Sequence, residues 1–159
     1  MAKRQIFYSF HFDNDVFRVQ QIRNMGVLEG NEPVSVNEWE TVKRGGDASV
    51  KRWIDDTMKY KSCLAVLVGA ETSYRKWVKY EIEKAWNDGK AVVGIYIHNI
   101  KCPRAGICRQ GSNPFEQIFL KDGRRLSSLV KCYNPNSYTA YNDIASNLEN
   151  WIEDAIKYR

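Results

Sequence analysis

The chain has 159 residues, and 24 Lys and Arg against 19 Asp and Glu give it a formal net charge of +5. This length fits one domain, so we expect residues 1–159 to form a single domain with a long insert at about residues 98–128. The longest apolar run, Cys63–Val68, is far below the ~20 residues of a membrane-spanning helix. The apolar stretch after the basic start is too short for a signal peptide, which predicts a cytoplasmic protein.

Cysteine and histidine usage argues against a metal site. The four cysteines include no Cys-x-x-Cys pair, and only two histidines are present. Tetrahedral zinc sites usually draw their ligands from closely spaced pairs of these residues. We therefore expect no metal and free thiols, with Cys63 buried inside an apolar strand.

Apolar runs and segments of helical period alternate along the chain. The runs are continuous, which is typical of strands covered on both faces of a parallel sheet. They predict strands at Ile6–Phe10, Cys63–Val68 and Val92–Ile97, and weaker ones near Pro33–Val36 and Leu129–Tyr133. The periodic segments predict helices over Asp15–Asn24, Asp47–Lys59, Ser73–Asp88 and Tyr141–Lys157.

Local signals predict how these helices begin, end and face the core. Asp47 and Ser73 are candidate N-caps, and Gly89 is placed to end the helix that begins at Ser73. In the first helix, Val16, Val19, Gln20 and Arg23 fall along one stripe, with Phe17 and Ile22 nearby. Alternation of strands and helices predicts an α/β fold with a flavodoxin-like, mainly parallel sheet of about five strands flanked by helices. Ligands of such sheets bind beyond the carboxyl ends of the strands.

The positive charge is concentrated in one segment. Residues 101–131 contain seven basic and two acidic side chains, a charge equal to the excess of the whole chain. The segment could bind phosphates or nucleic acid, or it could be a solvated loop. Aromatic residues are not interleaved with these cations as in binders of single strands, which favours the solvated loop and makes nucleic acid an improbable partner.

The helix predicted over Ser73–Asp88 places one carboxylate beside the core. At 100° per residue, Glu81 lies next to the apolar stripe, on the face that carries Trp77, whereas Glu83 points to water. Glu81 is therefore the candidate for a functional carboxylate in a cleft. Two simpler interpretations stay open at this point: an ion pair of Glu81 with Arg75 or Lys84, and edge packing of Trp77 and Tyr80.

The same helix carries a motif that resembles bacterial TIR domains. Trp77-Val78-Lys79-Tyr80-Glu81 is similar to their Trp-x-x-Tyr-Glu signature, and Ile6-Phe7-Tyr8-Ser9-Phe10 is similar to their first strand. The closer resemblance is to the TIR-like proteins of the Thoeris antiphage defence system. It covers roughly residues 1–120 and rests on Met1-Ala2-Lys3-Arg4, Phe10-His11, Trp39-Glu40, residues 75–82 and Asn113-Pro114-Phe115.

The resemblance implies an NAD-cleaving enzyme. It implies release of nicotinamide and formation of a cyclic ADP-ribose isomer as an antiviral signal, with NAD as substrate and no cofactor. Glu81 matches the catalytic glutamate. The residues expected to bind substrate are Ser9, Phe10, His11, Trp77, Tyr80 and Asn113.

Partners follow from the same resemblance. We expect a homo-oligomer in the active state, and a separate effector protein that is reached through the diffusible nucleotide. The polar second strand and the insert depart from the wider family pattern, which leaves the loop after Val36 and the product isomer open. The alternative function is a non-catalytic TIR module that acts by homotypic assembly.

Overall fold

The computed structural model describes residues 4–26, 29–30, 41–104 and 106–159. In this part of the chain, five parallel strands form one sheet in the order β2-β1-β3-β4-β5. The strands are β1 (Gln5–Ser9), β2 (Glu29–Gly30), β3 (Cys63–Val68), β4 (Ala91–Tyr96) and β5 (Cys132–Tyr133). The helices are α1 (Phe12–Asn24), α2 (Gly46–Met58), α3 (Lys76–Asn87) and α4 (Ala140–Lys157). The predicted α/β fold with a parallel, flavodoxin-like sheet is confirmed.

The sheet is covered on both faces, which explains its continuous apolar runs. All six residues of β3 are buried, because α1 and α4 pack on one face while α2 and α3 pack on the other. Successive strand residues point to opposite faces; Tyr8 belongs to the α4 side and Phe7 to the α3 side. A strand in this position needs apolar residues throughout.

Most predicted elements are present with shifted ends. Strand β3 matches its predicted bounds, and β1 and β4 each begin and end one residue earlier. Gly89, at φ +78°, follows α3 as predicted, since glycine adopts the left-handed conformation that ends a helix. The strand predicted at Pro33–Val36 lies outside the described residues, and the strand that is described on that side is β2.

Two predicted N-caps are wrong. Ser73 lies in a separate 3₁₀ turn, Thr72–Tyr74, and α3 begins after Arg75. The reason is local: the Gly69 N–H donates to Thr72 Oγ1 at 2.8 Å, which closes a tight turn before the helix starts. Asp47 lies in the first turn of α2, and Gly45 occupies the N-cap.

The stripe predicted on α1 coincides only in part with the buried face of the helix. Its buried residues are Asp15, Arg18, Val19 and Ile22, whereas Gln20 is exposed. Arg18 donates to Asp15 Oδ1 at 2.8 Å, to the Ile100 carbonyl at 2.8 Å and to the Gly106 carbonyl at 2.7 Å. These hydrogen bonds tie α1 to the segment that follows β4, although Asp15 Oδ2 is buried without a hydrogen-bond partner among the described residues.

The segment over residues 98–128 is more than a solvated loop. It contains two 3₁₀ turns, Pro114–Gln117 and Leu126–Ser128. Phe115 and Leu126 are fully buried in the core on the α3 side. The segment therefore contributes to the folded core while carrying its cations on the outside. None of the helices in the described ranges is long and apolar enough to cross a membrane.

Candidate functional site

The candidate site is formed where β1 ends and α3 begins. Ser9 is the last residue of β1, and Glu81 lies in the second turn of α3. Helix α3 turns Val78, Ile82 and Ala85 toward the sheet. Because Glu81 borders these core positions on the helix surface, its buried carboxylate reaches the end of β1.

Ser9 and Glu81 are in direct contact. Ser9 Oγ donates to Glu81 Oε1 at 2.7 Å, and both side chains are buried, with 0% and 7% of their surface exposed. Burial raises the pKa of Glu81 to about 8, and the hydrogen bond from Ser9 opposes that rise. A buried carboxyl with a strongly shifted pKa at a sheet edge is typical of a catalytic acid or base.

The surface ion pair considered for Glu81 is not formed. Arg75 lies 3.8 Å from Glu71, and Lys84 pairs with Asp88 at 2.9 Å. Each cation thus has an exposed carboxylate of its own. The Glu81 carboxyl is left facing Ser9, without a charged partner among the described residues.

Trp77 and Tyr80 form an aromatic pair beside Glu81 on the chain. Their rings meet edge to face at 5.7 Å, and the Tyr80 hydroxyl donates to Asp55 Oδ1 at 2.8 Å. Lys76 lies over the Trp77 ring at 4.8 Å. Both rings are half-buried. Edge packing therefore occurs, but part of each ring stays open to a ligand.

Phe10 and His11 continue the chain beyond Ser9. Phe10 is half-buried and stacks on Phe12 with ring centroids 6.2 Å apart. His11 is buried, and its Nδ1 atom has no hydrogen-bond partner among the described residues. Burial, together with the nearby positive charge of Arg75, lowers the pKa of His11. A neutral imidazole at this position can bond to a ligand hydroxyl.

Asn113 is brought to the same edge of the sheet by the inserted segment. A Cβ on Gly111 would lie 2.1 Å from the Gly69 carbonyl oxygen, so the two backbones touch. Ser112 Oγ and Ser73 Oγ share a hydrogen bond of 2.7 Å. Asn113 itself caps the next turn, with Oδ1 accepting from Phe115 N–H at 2.9 Å, which leaves its amide group as a donor.

The structure brings these residues together to different degrees. It joins Ser9 to Glu81 and Trp77 to Tyr80 by direct contacts, and places Phe10 and His11 next in the chain. Asn113 follows Gly111 and Ser112, which contact the loop after β3, and its side chain accepts from Phe115 N–H. The loop after Val36, which was left open as part of the site, lies outside the described residues.

Comparison with known proteins decides the family. The model of the family "Thoeris protein ThsB, TIR-like domain" matches residues 7–101, a range that contains the last three residues of β1 and the Trp77–Glu81 motif. The chain belongs to the ThsB TIR-like family. It is also 35% identical over 134 residues to a Bacillus cereus (strain MSX-D12) protein named "Putative cyclic ADP-D-ribose synthase ThsB1". That alignment covers 79% of this chain and 69% of the relative.

The range matched by the ThsB TIR-like family model includes most of the site residues but not all of them. Glu81, Ser9 and the aromatic residues of this TIR-like domain lie inside the matched range, and Asn113 lies beyond it. The assignment of all seven site residues stays a prediction, because similarity of whole chains does not test individual side chains.

Sequence reasoning missed two features of the site region. Asp55, which holds the Tyr80 hydroxyl, comes from α2, and nothing in its local pattern indicates that partner. The buried Asp15–Arg18 pair supports the neighbouring loop, since Asp15 lies directly against Gly69. Its i, i+3 spacing within a helix was an available signal.

Proposed function

We propose that this protein cleaves NAD at the bond between nicotinamide and ribose and closes the remaining nucleotide to a cyclic ADP-ribose isomer. Glu81 is the proposed catalytic residue. The observation that carries the proposal is the buried Glu81 carboxyl, held by Ser9 at the carboxyl end of β1. The name of the Bacillus cereus relative, a cyclic ADP-D-ribose synthase, supports the reaction class.

One carboxylate is enough for the bond-breaking step. Nicotinamide in NAD is cationic, so it leaves with the electron pair of the C–N bond as a neutral molecule and needs no general acid. Positive charge then develops on the ribose, as in glycoside hydrolysis. A fixed carboxylate stabilises this charge in a site from which water is excluded.

The raised pKa of Glu81 fits binding of a cationic substrate. In the free protein burial raises this pKa to about 8, so the carboxyl is mostly protonated at neutral pH. A nearby positive charge favours the ionised form. Binding of the nicotinamide ring therefore promotes loss of the Glu81 proton, and the charge appears when the substrate is in place.

The neighbouring residues have proposed roles that follow from their exposure. The half-buried faces of Phe10 and Trp77 stack on the planar rings of the substrate. The imidazole of His11 and the Asn113 amide group bond to ribose hydroxyls or phosphate. Exclusion of water by these aromatic walls gives a hydroxyl or ring nitrogen of the substrate time to attack the ribose cation, which yields a cyclic product.

The reaction places the protein in an antiviral signalling system. We propose that the cyclic nucleotide diffuses to a separate effector protein, and that activity requires assembly of several copies of this chain. The proposal is supported by membership of the ThsB TIR-like family. It predicts that nicotinamide release per copy rises with protein concentration.

The test is NAD turnover by concentrated protein with matched variants of α3. Glu81→Gln keeps the shape of the side chain and should lower nicotinamide release by on the order of 100-fold or more. Glu83→Gln is the control, because Glu83 is exposed and lies 3.9 Å from Lys79 on the same helix. Mass spectrometry identifies the nucleotide product.

Equal nicotinamide release by the wild type and Glu81→Gln would overturn the proposal. Linear ADP-ribose as the sole product would overturn the proposed cyclisation and leave the proposed NAD cleavage standing. Loss of self-association in Glu81→Gln, measured by light scattering, would assign the residue to assembly and favour the non-catalytic module.

A further inference from the structure

A cavity that neither Glu81 nor Ser9 lines lies beside the beginning of β4. It has a volume of about 570 Å³, within the range of small-molecule sites. It is open to solvent on one side and is bordered by the ends of α3 and α4 and by the segment before β5. The side chains that define its chemistry are Trp86, Arg124, Lys131, Tyr133, Trp151 and Arg159.

The cavity exists because β5 is short. It pairs only with Gly94 and Ile95 of β4, and the Gly94 N–H donates to the Lys131 carbonyl at 2.9 Å. No described strand covers the first half of β4 on that side, so Val92 and Val93 line the cavity. The cavity is thus lined by strands of the sheet and by the helices packed on it.

Aromatic rings form its walls. Tyr133 and Trp151 stack with centroids 4.6 Å apart and an interplanar angle of 13°. Across from β5, the Trp86 ring is covered by the Arg159 guanidinium, 3.6 Å from the ring centroid. Such walls suit a planar ring, which can stack on an aromatic face or on a guanidinium plane.

The charge of the lining is positive. Arg124, Lys131 and Arg159 face one carboxylate, Asp154. Arg159 donates to the carbonyls of Lys90 and Trp86, so its hydrogen bonds orient the guanidinium without neutralising it. Arg124 is the exception, because it pairs with Asp122 at 2.7 Å. The remaining excess favours an anion.

We propose that this cavity binds a nucleotide, a planar base that carries phosphate, at a site separate from Glu81. The base lies between the aromatic walls, and Lys131 and Arg159 hold the phosphate. The Asp154 carboxylate accepts from a ring amino group or a ribose hydroxyl. Lys131 is the last residue of the basic segment over residues 101–131. The proposal therefore gives this end of the segment a role in binding phosphate.

The proposal can be tested with ADP as the probe and tryptophan as the reporter. The chain has five tryptophans; labelled as 5-fluorotryptophan and assigned through single Trp→Phe variants, they report each site separately by fluorine NMR. Addition of ADP should shift the resonances of Trp86 and Trp151. The Trp77 resonance reports the Glu81 site, so an outcome at one site does not depend on the other.

Variants of the cations make the test sharper. The double variant Lys131→Gln/Arg159→Gln should weaken the ADP affinity read at Trp86 and Trp151 by at least about tenfold, because charge-assisted bonds to phosphate are lost. Lys121→Gln is the control: Lys121 belongs to the same basic segment and does not line the cavity. It should leave that affinity unchanged.

Three results would overturn the proposal. One is the absence of shifts at Trp86 and Trp151 at millimolar ADP. Another is an equal affinity in the double variant and the wild type. The third is reproduction of the same shifts by inorganic phosphate alone at equal concentration, which would show that the cavity takes any anion without a base.

Discussion

Ser9 Oγ donates a hydrogen bond to Glu81 Oε1 across 72 positions of the chain. The bond joins the last residue of β1 to the second turn of α3, and both groups are buried. With no exposed surface, Ser9 is placed to orient the Glu81 carboxyl. We therefore assign Ser9 as a positioning residue of the proposed NAD site, although the family resemblance implied a substrate contact.

Removal of the Ser9 hydroxyl should move the pH dependence of catalysis. The hydrogen bond from Ser9 lowers the pKa of Glu81 against the effect of burial, so Ser9→Ala should raise that pKa further. Activity needs the carboxylate and rises as pH passes through the pKa of Glu81. The rising limb of kcat/KM should therefore shift to higher pH in Ser9→Ala. Ser9→Thr keeps the donor and should restore the position of the limb; an unshifted limb in Ser9→Ala would contradict the positioning role.

Stability should fall with rising pH because of Glu81. Its pKa is about 8 in the folded protein against 4.5 for the free group. Below about pH 4.5 the Glu81 carboxyl is protonated in both the folded and the unfolded protein, so folding does not bury a charge there. Between 4.5 and 8 only the folded state holds the proton, so the free energy of unfolding decreases by up to about 1.4 kcal/mol per pH unit.

The variant Glu81→Gln should lack this dependence. Urea unfolding should show a gain in stability over the wild type that grows from pH 5 to pH 8 and then stays constant. The exposed Glu83 serves again as the control, and Glu83→Gln should follow the wild-type curve. A stability difference between Glu81→Gln and the wild type that is independent of pH would show that the folded-state pKa of Glu81 is close to its ordinary value.

The buried Asp15–Arg18 pair should be essential for stability. Arg18→Met removes the partner of a buried carboxyl and the donor to the Ile100 and Gly106 carbonyls. The expected loss is about 3 kcal/mol in the free energy of unfolding, measured with urea. The double variant Asp15→Asn/Arg18→Met should recover part of the loss, because no buried charge remains.

An exposed ion pair offers the matched control for Arg18. Arg4 lies 2.9 Å from Glu153, and both side chains are nearly half exposed. Arg4→Met should change stability little, since exposed pairs are well solvated. Equal losses in Arg18→Met and Arg4→Met would contradict the role assigned to the buried network.

The contact between Gly111 and Gly69 should be needed to seat the inserted segment. Gly111→Ala places a Cβ 2.1 Å from the Gly69 carbonyl, and the backbones must separate. The expected cost is about 1–3 kcal/mol of stability, together with a rise in KM for NAD if Asn113 binds substrate. Ser112→Ala, which loses only the bond to Ser73, should have the smaller effect. An unchanged KM and stability in Gly111→Ala would show that the segment tolerates displacement.

The sequence by itself determined the layers of the fold and singled out Glu81. The continuous run Cys63–Val68 predicted a buried parallel strand, because a sheet covered on both faces leaves no polar positions. The helical period of α3 placed Glu81 beside the core. These features depend on residues close together in the chain. Over such short stretches, the helical turn of 100° per residue and the alternation of faces along a strand determine which side chains face the core.

Only the tertiary structure decided what Glu81 contacts. Arg75 and Lys84 were the partners available within one helix, yet the carboxyl bonds to Ser9 of another element. The burial of Arg18 on α1 was not predicted for the same reason: its guanidinium donates to the carbonyls of Ile100 and Gly106, which are distant in the sequence. Burial of a polar side chain depends on distant partners that satisfy its hydrogen bonds, and a local pattern does not contain them.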